Sequence, residues 1–391
     1  MLLLIASVVA MLTRRLRLPY SAGLVAAGLL LAVLPFAPTV QLTKELLFRA
    51  LLPPLIFEAA FHLDWKQLRR DLPVVLVLAS LGVAFSAAIT AAGMHYLARW
   101  DWLSCAVFGI LIAATDPVSV IATFREAGAR GRLLVLVEAE ALFNDGTAAV
   151  AFGVAITFAV GHAPTALQTL SALAATMLGG LMSGAVVASL ALLLAGRTED
   201  HLVEIAFTTV AAWGSFLLAE HLRLSGVLAT LTAGLLMANY RSLGEISPRG
   251  REAVEAFWEY ATFIANSLVF LLIGMHGAHV NLLAVWISAV VAIVFVTLGR
   301  AAAIYPCCLL FAWSGLRVKP RHQHVLFWGG LRGALALALA LGLPPEIPLR
   351  DHIVTVSFAV VAFSVFVQGL TMTPLLRRMG EIAVAGQPGK R

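Results

Sequence analysis

Long apolar runs, separated by short breaks that contain charged residues, proline or glycine, dominate this sequence of 391 residues. Hydrophobic residues make up 61% of the chain and charged residues only 12%, which is about half the charged fraction of typical soluble domains. A soluble core cannot hold so many apolar side chains, because a folded domain must also cover its own surface. The pattern therefore indicates a protein that is dissolved in a lipid bilayer.

Dividing the apolar runs at their breaks predicts an all-α polytopic fold with about thirteen transmembrane helices. The first run is short, and we interpret it as a helix rather than a cleaved signal peptide, because no small-residue cleavage site precedes Arg14. The predicted helices cover residues 1–13, 19–36, 45–62, 71–98, 103–124, 133–159, 167–195, 202–220, 224–239, 252–276, 281–313, 323–343 and 351–376. Residues 377–391 are expected to form a short cytoplasmic tail.

The basic residues between the helices predict the orientation. Of the 27 lysines and arginines, an outside N-terminus puts 20 in cytoplasmic loops, and two more lie inside apolar runs. The remaining five would face outside: Lys44, Arg49, Arg99, Arg223 and Arg350. Because cytoplasmic loops carry the excess of positive charge, we expect a protein of the cell inner (plasma) membrane with its C-terminus in the cytoplasm. The same scatter over short loops argues against a nucleic-acid partner, despite the net charge of +6.

Several charged residues fall within the apolar runs rather than between them. A charge at the centre of a transmembrane helix costs about 2.5–3.5 kcal/mol to insert, so such residues face each other or a water-filled cavity and mark functional sites. The residues of interest are Glu58, Asp116, Glu138, Glu140, Asp145, Arg300 and Arg332.

The sequence Ala114-Thr115-Asp116-Pro117 predicts a break in helix 5. Proline has no amide hydrogen and clashes with the preceding turn, so a helix does not run through it undisturbed. Broken helices at membrane depth line cavities, where the freed carbonyl groups can bind cations and a carboxylate adds negative charge. The alternative is a simple proline kink in which Asp116 caps the second half of the helix.

Helix 6 presents its acidic residues on different faces. Helical spacing separates Asp145 from Glu140 and Asn144, so one carboxylate can bind an ion while the other is held in an ion pair. Arg300, which is always charged, needs a carboxylate partner in the membrane, and Glu140 is the candidate for a structural pair. Glu138 is expected to cap the cytoplasmic end of the helix.

Three glycines surround the second arginine, in Gly329-Gly330-Leu331-Arg332-Gly333. Glycine disfavours a continuous helix, so a second break is predicted here, in which Arg332 offsets the carbonyl dipoles at the ends of the half-helices. The alternative is helix packing through the glycines, with Arg332 reaching the cytoplasmic surface.

Taken in this order, the motifs resemble the monovalent cation:proton antiporter-1 family, the NhaP-like and animal sodium/proton exchangers, over essentially the whole chain. The resemblance implies an NhaA-like homodimer in which inverted repeats of about 1–159 and 202–376 are linked by helix 7 at 167–195. Helices 5 and 12 are the broken crossover helices of this fold, and 1–376 forms one transporter unit.

The resemblance also implies the site. It places a cation and proton site, for Na⁺ or another alkali ion, at Asp145, Asp116, Thr115, Glu58 and Asn144. It makes Glu140 and Arg300 a structural ion pair, and Arg332, Gly330 and Gly333 the crossover motif of helix 12. No cofactor is implied beyond the transported cation and proton. One departure is Ala141, which stands where relatives usually have a serine whose hydroxyl binds the cation.

These features predict a secondary antiporter that exchanges a monovalent cation for protons by alternating access, with Na⁺ ahead of K⁺ or Li⁺. Exchange is expected to be electroneutral, because electrogenic relatives carry a second aspartate where this chain has Asn144. The alternative is a cation channel or a channel-like sensor that uses the same acids. An enzyme is not expected, because the predicted spans contain neither a Ser/His pairing nor a His-x-x-x-His spacing.

Overall fold

The computed structural model describes residues 1–16, 18–33, 42–116, 121, 131–161, 165–239, 247–278 and 280–381, and the ordered elements among them are helices. The first six are α1 (Leu2–Leu16), α2 (Tyr20–Val33), α3 (Leu46–Leu51 continuing into Leu52–His62), α4 (Trp65–Ala98), α5 (Trp102–Leu111) and α6 (Arg132–Ala159). They are followed by α7 (Ala166–Ala195), α8 (His201–His221), α9 (Gly226–Asn239), α10 (Pro248–Gly277) and α11 (Leu282–Leu309). The last are α12a (Pro320–Trp328), α12b (Ala334–Leu341) and α13 (Arg350–Arg378).

Seven of these helices are long and apolar enough to cross a membrane: α4, α6, α7, α8, α10, α11 and α13. The all-α polytopic membrane fold that the sequence predicts is confirmed, and each described helix overlaps one of the thirteen predicted ranges. The predicted break at Pro117 falls outside the described residues, which show α5 ending at Leu111 and a non-helical chain at residues 114–116.

The helices pack in two groups. In the first, which we call the core bundle, α4 packs against α5, α6 and α11, while α13 packs against α11 and α12b. In the second, the flanking bundle, α10 packs against α2, α3 and α8, while α9 packs against α3, α7 and α8. The two bundles meet where α3 of the flanking bundle contacts α6 and α12b of the core bundle.

Several helices begin earlier than hydropathy predicts, because a capping side chain starts a polar first turn. The Asp64 carboxylate accepts a hydrogen bond from the amide of Lys66 at 2.7 Å, so α4 begins at Trp65 instead of residue 71. Ser247 Oγ accepts from the amide of Gly250 at 3.0 Å, so α10 begins at Pro248 instead of residue 252. The prediction that Glu138 caps helix 6 is wrong, because α6 begins six residues earlier and Glu138 is buried.

Four of the described helices contain one segment of π-helix, in which the hydrogen bonds skip one additional residue. These segments are Leu46–Leu51 in α3, Leu78–Gly82 in α4, Val210–Gly214 in α8 and Ser364–Gln368 in α13.

One ion pair ties three parts of the core bundle together at the end where α6 begins. Arg132 Nη2 lies 2.7 Å from the carboxylate of Asp71 on α4, and its Nε donates to the same carboxylate at 2.9 Å. The guanidinium also donates to the carbonyl groups of Leu316 and Arg317, in the turn before α12a, at 2.7 and 2.8 Å. In the sequence Arg132 looks like an ordinary loop charge, because nothing local to it identifies Asp71 as a partner.

Candidate ion-binding site

Helix 12 is interrupted where the sequence has its three glycines. α12a ends at Trp328 and α12b begins at Ala334, with a non-helical segment between them. This segment contacts the non-helical chain that follows α5, because the amide of Asp116 donates to the carbonyl of Leu331 at 2.7 Å. The glycine at position 333 allows the approach, since a Cβ atom there would collide with the carboxylate of Asp116.

Arg332 lies inside this contact and is 1% exposed, so it does not reach the cytoplasmic surface. Its Nη1 donates to the carbonyl oxygens of Ala113 and Ala114, at 2.5 and 3.1 Å. These carbonyls follow the C-terminal end of α5, where the helix dipole is negative. The arginine therefore places a positive charge against the freed carbonyl groups of the neighbouring helix.

Asp145 lies on α6 beside the same contact and is 6% exposed. It lines a cavity of about 30 Å³, which could hold one water molecule or one dehydrated alkali ion. Thr115 and Asp116 line this cavity too, and the other walls are Ala114, Gly333 and apolar residues of α3, α6 and α12b. The Thr115 amide is directed at the Asp145 carboxylate, while Oδ1 of that carboxylate has no hydrogen-bond partner among the described residues.

The other residues of the predicted cation site occupy different places. Asn144 is buried and donates from Nδ2 to Glu140 Oε1 at 3.2 Å, away from the cavity. Glu58 is also buried, and its carboxylate lies 3.3 Å from Nδ1 of His62, one turn further along α3. Among the described residues, the walls that α3 gives to the cavity are Leu52, Leu55 and Ile56 rather than Glu58. These apolar residues carry no chemical signal in the sequence that could have identified them.

Glu140 is held by Arg300 of α11 in a bidentate ion pair. Arg300 Nη1 and Nη2 donate to the two carboxylate oxygens at 2.6 and 2.9 Å, and both side chains are buried. Arg300 also donates from Nη2 to the carbonyl of Leu326 in α12a at 2.9 Å. A Cβ atom at Gly330 would collide with the Arg300 side chain, so this glycine makes room for the pair.

The geometry thus separates the carboxylates of helices 5 and 6 by their surroundings. Glu140 has a guanidinium and an amide as partners, which favours a permanently charged group. Asp145 and Asp116 line a small cavity between the chain that follows α5 and the interruption of helix 12, where backbone carbonyls are also available. Oxygen ligands of this kind suit an alkali cation, and a carboxylate can bind a proton instead. Such a site can hold either ion.

The family model for the sodium/hydrogen exchanger, transmembrane, matches residues 2–378 of the chain. The Na⁺/H⁺ antiporter ApNhaP of Aphanothece halophytica is 38% identical over 380 residues, which cover 95% of this chain and 71% of that protein. The Na⁺/H⁺ antiporter NhaP of Pseudomonas aeruginosa is 33% identical over 355 residues, which cover 88% of this chain and 82% of that protein.

The fold is also similar to a solved structure. The sodium proton antiporter MjNhaP1 from Methanocaldococcus jannaschii superimposes with a TM-score of 0.75 at 19% sequence identity, over 94% of this chain and 96% of that one. The resemblance that the motifs suggested is confirmed by the match over nearly the whole chain, and this chain belongs to the transmembrane sodium/hydrogen exchanger family.

Proposed function

We propose that this chain exchanges Na⁺ for protons across the membrane by alternating access, and that Asp145 is the group that binds the two ions in turn. Sodium/proton exchange is the activity named for its family and for its relatives. The observation that carries the assignment to Asp145 is its position in the buried cavity with Asp116, while Glu140 is engaged by Arg300. K⁺ and Li⁺ are the other cations that the same oxygen ligands could take.

The mechanism follows from competition for one small site. A cavity of about 30 Å³ admits one dehydrated cation or one water molecule beside a proton-bearing carboxylate. Either occupant neutralises negative charge that is costly to move through a low-dielectric medium. The site can therefore cross between the two sides of the membrane when it is occupied by a proton or a cation. Arg332 contributes a fixed positive charge to this transport cycle. Thr115 contributes its backbone groups to the cavity.

The proposal also covers the oligomeric state and the orientation of the protein in the membrane. We infer a homodimer in the plasma membrane with the N-terminus outside and the C-terminus in the cytoplasm, as the distribution of lysine and arginine favours. The inverted repeats, about 1–159 and 202–376, would pair α4–α6 with α11–α13 and α1–α3 with α8–α10. The packing of α4, α5, α6, α11, α12 and α13 into one bundle supports that pairing. The family and the relatives above are exchangers, and nothing in them supports the channel alternative.

Proton flux in reconstituted proteoliposomes tests the function and the role of Asp145. The wild type should exchange Na⁺ for protons, as reported by a pH-sensitive dye in the lumen. Asp145→Asn should abolish exchange, because it removes the titrating group while keeping its shape. Asp116→Asn should weaken cation affinity and leave residual exchange. Asp351→Asn is the matched control, because it removes a carboxylate that is 92% exposed at the start of α13. Exchange that persists in Asp145→Asn would show that another group carries the ions.

A further inference from the structure

A second small cavity lies within the core bundle, between α11, α13 and the interruption of helix 12. Its volume is about 10 Å³, which is close to the space that one water molecule needs. Among the described residues, none lines both this cavity and the one beside Asp145. We call it the arginine cavity, and its polar lining residues are Thr297, Arg300, Arg332, Ser364 and Gln368.

Arg332 brings hydrogen-bond donors to this cavity that have no partner in the described part of the chain. Its Nη1 is bonded to the carbonyl groups of Ala113 and Ala114, but Nε and Nη2 are buried and unpartnered there. Leaving a buried donor without a partner is costly, and more so when the group is charged. Buried donors in native proteins are therefore bonded either to protein groups or to ordered water.

Two polar side chains of α13 line the same cavity. Ser364 and Gln368 are 1% and 6% exposed, and neither side chain is hydrogen-bonded to another described residue. They are the first and last residues of the π segment of α13, whose wide turn is closed by a hydrogen bond from the amide of Gly369 to the carbonyl of Ser364. Single π turns within α-helices occur frequently at functional sites. The cavity thus collects polar groups from α13 and from the interruption of helix 12 that need a common partner.

The charges around the cavity favour a water molecule over an anion as that partner. Arg300 is paired with Glu140, and Arg332 is attracted by the carboxylates of Glu140 and Asp145. Asp116 adds a third carboxylate to these two arginines, and a cation or a proton at Asp145 balances the sum. An anion in the cavity would disturb this balance. A neutral water molecule does not, and the three bonds that a buried water typically makes match the groups available.

We infer that the arginine cavity binds one ordered water molecule that joins Arg332 to Ser364 and Gln368, and that these two residues of α13 position the arginine beside the ion site. The guanidinium is then held from two sides, by the carbonyl groups after α5 and by the water on α13. Its charge is kept from turning onto Asp145, where it would compete with the cation. The positioning role rests on the proposed function, whereas the water site does not.

A crystal structure of the wild type, at a resolution that shows ordered water, tests the site directly. Density is expected in the arginine cavity within hydrogen-bond distance of Arg332 Nε or Nη2 and of at least one of Ser364 and Gln368. A second crystal grown with bromide in place of chloride tests for an anion, because bromide scatters anomalously. It should give no anomalous peak in this cavity.

Exchange kinetics in proteoliposomes test the positioning role. Gln368→Met and Ser364→Ala each remove one polar partner of the water, and each should raise the KM for Na⁺ about two- to tenfold, the effect of losing one ordinary hydrogen bond. The value of kcat should change less, because the carboxylate that binds the ions is still present. Ser357→Ala is the matched control and should keep the wild-type KM. Ser357 is fully buried on the same helix, but its hydroxyl donates to the carbonyl of Ile353 at 2.7 Å and it does not line the cavity.

The double variant Gln368→Met/Ser364→Ala distinguishes a shared water from two separate effects. If both side chains hold the same molecule, the KM of the double variant should be close to that of the worse single variant. Two independent contributions would instead multiply. A merely structural defect would lower the amount of active protein and the melting temperature while leaving the KM for Na⁺ unchanged.

Four results would overturn the inference. They are a cavity without water density in a map that shows other buried waters, an anomalous bromide peak there, a wild-type KM in both single variants, or effects on the KM that multiply in the double variant. If a variant does not fold, the two crystal structures still decide whether the water is bound. The density can be present in a protein that exchanges no ions, and exchange can proceed where the density is missing. The water site and the proposed function therefore fail separately.

Discussion

The backbone amide of Asp116 donates to the carbonyl oxygen of Leu331 at 2.7 Å, so the chain that follows α5 and the interruption of helix 12 meet through their backbones. The site thus depends on the path of the main chain in two distant parts of the sequence. A side chain that disturbs either path should change ion binding even when every carboxylate is still present.

Gly333→Ala should abolish or strongly reduce exchange. The added methyl group collides with the Asp116 carboxylate, and overpacking of this kind costs about 1–3 kcal/mol. The control is Gly277→Ala at the end of α10, where a Cβ atom meets nothing within 4 Å. The test compares the proton flux and the thermal melt of the two variants with those of the wild type. Wild-type flux in Gly333→Ala would mean that Asp116 need not lie against this glycine during transport.

Arg300→Ala should destabilise the protein more than it alters the chemistry of the ion site. It leaves Glu140 buried without its guanidinium partner, and breaking such a pair costs about 3–5 kcal/mol. The double variant Arg300→Ala/Glu140→Ala should recover part of this loss, because no unpaired charge remains. A double-mutant cycle of thermal melts measures the coupling. Purely additive losses would show that the pair contributes no interaction energy.

Arg132→Lys should lower the stability of the core bundle, although the charge is conserved. Lysine cannot reproduce the bidentate contact with Asp71 together with the bonds to the carbonyl groups of Leu316 and Arg317, and we expect a loss of about 1–3 kcal/mol. The control Arg251→Lys alters an ion pair with Glu255 whose side chains are 42% and 45% exposed, so it should change little. Equal melting temperatures for Arg132→Lys and the wild type would contradict the prediction.

Exchange should be electroneutral, with one cation for one proton. Asn144 is neutral and donates to Glu140, and Glu140 is held by Arg300, so Asp145 is the one carboxylate of these three positions of α6 that is left to titrate. A net charge moved per cycle would couple the rate to the potential by about 2.3 kcal/mol per 100 mV.

This stoichiometry can be tested by measuring the rate of Na⁺ or Li⁺ exchange in proteoliposomes. The membrane potential is clamped at several values with valinomycin and K⁺. The rate should not depend on the potential. A steep dependence, or a steady-state current on solid-supported membranes, would make Asp116 or Glu58 a second proton carrier.

Much of the fold could be predicted from the sequence, because a bilayer imposes strong constraints on composition. Apolar runs identify the helices, and the glycines at 329, 330 and 333 identify the interruption of helix 12. Hydropathy failed at polar helix starts such as Trp65, where a capping carboxylate rather than an apolar run begins the helix. The path of helix 5 after Asp116 lies outside the described residues, so the break predicted at Pro117 stays a prediction.

The candidate site was predictable only where its residues carry charge. Asp145, Asp116 and Arg332 stand out because charges are rare in apolar runs, and the structure brings them together. The cost of burying Arg300 indicated a partner, and helix depth was enough to select Glu140. The apolar walls from α3 could not be selected, because any leucine or isoleucine in thirteen predicted helices looks the same. Their role arises from the packing of α3 against α6 and α12b, which no local sequence pattern reveals.

The π segments of α3, α4, α8 and α13 affect how engineered crosslinks in this protein should be designed. A helical wheel assumes about 100° of rotation per residue. Each widened turn breaks that assumption, so positions beyond it are turned away from the face that the wheel assigns. On α13, a wheel counted from Arg350 misplaces the residues after Gln368, and one counted back from Arg378 misplaces those before Ser364. Cysteine pairs should therefore be chosen within one side of each segment.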